Sequence, residues 1–209
     1  MRLIAAVLLL SGPWLNGEVI DRVAVAVDSH VVTESAIRRL IRLNSYFQRV
    51  PPDFNPQARR QAAERLINQA LIQKEMTLIR YPMPAVPEAV KQMEEIREAR
   101  HEDQAAFRAD LARYGFTEED LQEEIIWQLT LTRFIDFRFR PGVQITDEEI
   151  KKYYDEELKP KQTEPAELDE VRAGIVRVLT ARRLNDALSQ WLEQMRASTR
   201  IQFFPEAFQ

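Results

Sequence analysis

The chain contains no cysteine, so disulfide scaffolds, zinc ribbons and thiol nucleophiles are excluded at once. Glycine is scarce, at 5 in 209 residues, and no glycine-rich phosphate loop or nucleophile elbow occurs. The only histidines are His30 and His101, with no ligand spacing between them, so neither a histidine-based metal centre nor a metal cofactor is expected. A net charge of −4 lacks the basic excess that phosphate binding needs, which argues against nucleic acid as a partner. The acidic pairs Glu94-Glu95, Glu118-Glu119 and Glu123-Glu124 sit at helical spacing and read as solvated faces and first-turn acids. No catalytic constellation remains, and the chain is read as a protein without enzymatic activity and without a cofactor.

Long apolar runs are limited to one. Leu3 to Leu10 follows Arg2 and is broken by Ser11-Gly12-Pro13, too short to span a bilayer and suited to a secretory leader. Residues 1–17 are therefore predicted to be a signal peptide, and 18–209 a single exported domain with no integral membrane segment.

What is present is helix. The content of 45% apolar and 30% charged residues describes a folded, helix-rich protein, and the 11 prolines suit rigid joints between helices. Thr33 or Ser35, Asn55-Pro56, Thr117 with Asp120, and Thr146 with Glu149 are helix starts. Val50-Pro51-Pro52 and Pro141-Gly142 are stops. Residues 81–87 and 159–165 read as proline-containing connectors. A closing helix is predicted over 166–196. Its apolar face, Leu168, Val171, Ile175 and Leu179, rotates before Leu184, Leu188, Trp191, Leu192 and Met195. Either the two halves touch different partners or the helix breaks near Arg182. A strand over 199–204 follows and needs a partner, for which residues 19–27, rich in valine, are the best candidate. The fold expected is mainly α: a multi-helix domain with a small β-sheet made by the N- and C-terminal strands.

Aromatic and methionine side chains gather where regular structure ends: Tyr46, Phe47 and Phe54; Met76, Met83 and Met93; Phe134, Phe137 and Phe139. Such side chains serve as core, or they line an adaptable groove that accepts many sequences. Tyr46, Phe47, Met83, Phe137 and Phe139 are the candidates for binding peptide.

The run from Asp21 to Asp28, followed by Val31-Val32-Thr33-Glu34-Ser35-Ala36-Ile37, resembles the opening of the SurA family of periplasmic chaperones. Arg65 to Ile72 is similar to the next helix of that family's N-terminal module, and Glu167 to Arg172 with Trp191 to Arg196 to its closing helix. The resemblance implies a periplasmic holdase that binds unfolded clients, outer-membrane proteins among them, through an apolar groove. Two departures stand out. The family commonly carries parvulin-type prolyl isomerase domains before the closing helix, each needing roughly 90 residues by the family pattern, whereas here only 159–165 intervene. The turn Asp28-Ser29-His30 also lacks the family's usual glycine or asparagine. The alternatives are a dedicated envelope assembly subunit with one partner and, against the missing parvulin segment, a prolyl isomerase.

Overall fold

Local capping chemistry sets most of the helix boundaries. In a computed structural model that describes residues 21–82, 86–100, 102–161 and 166–208, helix α1 (Glu34–Gln48) begins where the Thr33 side chain accepts the Ala36 N–H. Asn55 does the same for Ala58 at the head of α2 (Pro56–Leu78), with proline in the first turn. Helix α3 (Val86–Ala99) is followed by α4 (Gln104–Arg113), capped by Asp103 and ended by Gly115 at φ 76°. Reciprocal capping boxes open α5 (Glu118–Phe139) through Thr117 and Asp120, and α6 (Asp147–Tyr153) through Thr146 and Glu149. A π-helical turn, Tyr154–Leu158, extends α6. Helix α7 (Leu168–Ser198) closes the molecule. The predicted leader 1–17, Met83 and His101 lie outside the described residues.

The sheet is three-stranded and antiparallel, in the order β2-β1-β3, with β1 (Val23–Val27) central, β2 (His30–Thr33) on one side and β3 (Ile201–Phe203) on the other. The first and last described strands therefore meet as their valine-rich and aromatic sequences predict. The strand expected over 199–204 is shorter, because Thr199 still caps α7. Phe204 nonetheless donates its N–H to Ala24 O at 2.9 Å. Asp21 and Arg22 precede β1 and are spent on α1: Asp21 accepts from Ser35, and Arg22 O accepts the Glu34 N–H at 2.8 Å.

Asp28 sews the sheet to the helices. It turns the chain at φ 51°, its N–H reaches Arg200 O at 2.9 Å, and its carboxylate receives Lys74 Nζ at 2.7 Å and the Arg200 N–H at 3.1 Å. The Lys74 ammonium first, and then the Arg200 amide, hold this carboxyl below the ordinary aspartate range. A depressed carboxyl stabilises the fold above its unfolded pKa of about 4, and the contribution disappears as pH falls through the lower folded value. Asp28→Asn keeps the turn, since asparagine tolerates the left-handed region, but removes the charge. The acid limb of melting temperature against pH is expected to be shallower in the variant below about pH 4. An unchanged acid limb in thermal melts would dissociate Asp28 from acid sensitivity.

The apolar side chains form a series of adjoining clusters. Ala24, Val25 and Val27 of the sheet pack on Ile37 and Ile41 of α1, Ala63, Ile67 and Leu71 of α2, and Phe208 beyond β3. Leu43 and Tyr46 at the end of α1 meet Met93, Phe107, Leu111, Leu121 and Ile125 from α3, α4 and α5. Ile72 and Met76 of α2 join Phe134 of α5 and Trp191 of α7. Ile150 and Tyr154 enclose Ile175 against Val171 and Leu179. Helix α7 runs unbroken past Arg182 for 31 residues, about 45 Å. Its rotated apolar faces are thus answered by different partners. The first half meets α6 and the π turn, and the second meets α2, α5 and the sheet cluster. Arginines of α7 reinforce the first contact: Arg172 pairs with Asp147, Arg183 with Glu149, and Arg182 with Glu157 in two bonds of 2.7 Å.

Candidate peptide-binding surface

Aromatic side chains at two helix ends meet in space. Helix α5 buries Leu121, Ile125 and Phe134 in succession, so its last turn emerges from the core carrying Phe137 and Phe139. Helix α2 ends beside it. There the Tyr81 N–H returns to Met76 O at 2.8 Å and the Arg80 N–H to Thr77 O at 3.2 Å, a Schellman closure with Arg80 at φ 53° in the left-handed position. This closure turns Tyr81 back onto α5. The result is a continuous row of rings. Phe137 lies 5.6 Å from Tyr81, Tyr81 5.5 Å from Phe134, Phe134 6.5 Å from Trp191, and Trp191 6.1 Å from Phe139. The separations and mostly edge-on angles are those aromatic pairs prefer.

The row is buried at its centre and open at its ends. Phe134 is fully enclosed, whereas Phe137 is 61% exposed, an unusual position for a phenylalanine next to a formed cluster. Phe139 is half-buried and lines a cleft of about 640 Å³ between the α5–α6 connection and α7. Val143 and Gln144 form one wall, and Arg183, Ala187 and Gln190 the other. The rim is polar. Arg138 lies 3.8 Å from Glu75, and Arg183 binds Glu149. The Thr146 N–H, then Arg183, hold the Glu149 carboxyl below its ordinary range, so this rim carries fixed, paired charge at neutral pH. Gln144 and Gln190 add amides able to bond a peptide backbone.

The remaining candidates are placed elsewhere. Tyr46 is wholly buried and so cannot line a groove; Phe47 and Tyr114 meet it edge-on at 5.4 Å and 5.7 Å, and the Arg100 guanidinium covers its ring at 4.1 Å. Burial pushes the Tyr46 hydroxyl up to about 12, and its oxygen has no hydrogen-bond partner among the described residues. An aromatic residue near a helix end looks the same in sequence whether the next helix covers it or not, and here α3 and α4 cover it. Phe47 is 38% exposed but belongs to this cluster's margin, not to the row around Trp191. The methionine group is divided, with Met76 buried beside Phe134 and Met93 beside Phe107. Of the aromatic groups, that of Phe134, Phe137 and Phe139 forms one feature that reaches the surface, with Phe134 as its buried centre and the other two at its open ends. Tyr81 and Trp191 belong to it as well. In the sequence Tyr81 reads as part of a connector and Trp191 as part of a packing face, and neither segment encodes that both meet Phe134 of α5.

Among the described residues, no helix is long and apolar enough to cross a membrane, and no group of histidine, aspartate or glutamate side chains converges as a metal site. No protein-family model and no curated protein matches this chain.

Proposed function

We propose that this protein is a SurA-like holdase of the periplasm that binds unfolded clients, outer-membrane chains among them, without catalysing a reaction. One observation carries the reading: an exposed Phe137 continuing, through Tyr81, Phe134 and Trp191, to the cleft lined by Phe139. Rings at intervals along an extended client would find apolar seats at either end of the row, and the polar rim would bond backbone. Unfolded barrel chains suit such a surface, because they alternate apolar and polar residues and carry aromatic girdles. Micromolar affinity needs about 8 kcal/mol. Burial of an apolar side chain supplies about 1.5–3 kcal/mol, so a few seated client side chains less the association cost give a weak, reversible hold.

The experiment is a pair of substitutions, Phe137→Ser and Phe139→Ser. Phe137→Ser is expected to leave stability within about 0.5 kcal/mol, as for an exposed site, while weakening suppression of aggregation of a denatured outer-membrane barrel protein, read by light scattering. Holding equal to that of the unsubstituted protein in both variants would remove the row from the binding surface.

A further inference from the structure

Among the described residues, the β2 edge of the sheet is unpaired and lies beside a groove. Backbone groups of β1 alternate between its neighbours. Ala24 O accepts from Phe204 and the Asp28 N–H goes to Arg200 O, so Ala24, Ala26 and Asp28 serve β3. Val25 and Val27 therefore serve β2, opposite Val32 and His30. Val31 lies between those two, so its N–H and C=O point away from the sheet, and its side chain is 51% exposed. Along this edge, cavities of about 460 Å³ and 210 Å³ adjoin at His30, Ala70 and Gln73, with α2 as the far wall from Leu66 to Leu78. Ala70 makes the floor low, and Leu78 stands 70% exposed at one end. From Leu66 to Leu78 the wall runs about 18 Å at about 1.5 Å per residue. An extended strand of five or six residues, at about 3.4 Å each, fills that length.

We propose that the edge of β2 is a strand-addition site, where an extended client segment pairs with Val31 and lays alternate apolar side chains into the groove against α2. The proposal rests on the holdase reading and gives it a second contact, one that reads backbone instead of aromatic rings. Main-chain pairing supplies affinity for any extended sequence, and the groove selects alternation. The occupant is a client strand and not a second copy of this chain. A copy's β2 has four residues, about 14 Å, and leaves the Leu78 end of the groove empty.

The test uses a fluorescent hexapeptide of alternating threonine and valine, with binding read by anisotropy and the Val31 amide followed by hydrogen exchange. Binding is expected to protect that amide. Val31→Pro deletes the outward N–H at an edge position where proline is tolerated, and is expected to weaken binding at least about fivefold through the lost hydrogen bond. Leu78→Asp, at an exposed site that leaves the sheet intact, is expected to weaken it as well. No binding by the unsubstituted protein, equal binding by both variants, or a Val31 amide that exchanges freely with peptide bound would overturn the proposal. So would sedimentation showing a dimer that protects Val31 without peptide. Aggregation suppression measured in parallel separates the two readings. Peptide pairing at Val31 with no client holding refutes the holdase but keeps the strand site. Holding lost in Phe137→Ser but unchanged in Val31→Pro refutes the strand site alone.

Discussion

Removal of Thr199–Gln209 is expected to abolish cooperative unfolding. The truncation deletes β3 and, with it, the partner of Ala24, Ala26 and Asp28, leaving β1 as an exposed edge. It also withdraws Ala207 and Phe208 from the cluster beneath the sheet, where both are buried. Loss of one buried phenylalanine alone costs about 3–5 kcal/mol, against a total stability of about 5–15 kcal/mol for a domain. The lost Asp28–Arg200 bonds add to this. Circular dichroism should show a broad, low-temperature transition, accompanied by dye binding to exposed apolar surface. A sharp transition at the full-length temperature would mean that the terminal segment contributes nothing to the core.

Phe134→Ala is expected to be the most damaging single substitution in the aromatic row. Its ring is fully buried where α2, α5 and α7 meet, flanked by Tyr81 and Trp191 and by Ile72 and Met76. A cavity there costs about 3–5 kcal/mol. At about 2–4 °C per kcal/mol for a chain of this size, the melting temperature should fall by about 6–20 °C. Phe137→Ala, three positions along the same helix, should barely move it, because that ring is mostly in solvent. The contrast between neighbours on one helix separates support from binding surface. Equal losses in thermal melts would place Phe137 in the core and withdraw it as a binding residue.

What the sequence made legible was local or periodic. Thr33, Asn55, Thr117 and Thr146 cap helices because a short polar side chain reaches its own backbone within three residues, a relation that needs no knowledge of the fold. The pairing of the terminal strands followed from a valine-rich segment and an aromatic one, each lacking another partner. The continuity of α7 through Arg182 was not legible, since a rotated apolar face is compatible with a break or with new neighbours. Only the placement of α6 decides it. The binding surface was harder still. Phe137 and Tyr46 carry similar signatures, an aromatic ring near a helix terminus, yet one is open and the other enclosed by α3 and α4. Tyr81 joined the row through a left-handed Arg80, a backbone conformation that arginine does not announce. The free edge at Val31 depends on strand order, which no single segment encodes.

The register of β1 against β3 also sets the order of events in synthesis. Val27 meets Ile201, so the central strand emerges long before the partner that completes its sheet. At about 5–20 residues per second, roughly 9–35 s separate them. During that interval β1 has only β2 beside it, and the α1 and α2 side chains beneath it wait for Phe208. The α1–α2 and α3–α5 contacts join segments made before α7. By contrast, α6 packs on α7 and the sheet needs β3, so both wait for the last part of the chain, at the cost of joining distant segments. A chain that still lacks the second half of α7 and β3 therefore leaves one side of β1 open, and that exposure ends when β3 pairs with it.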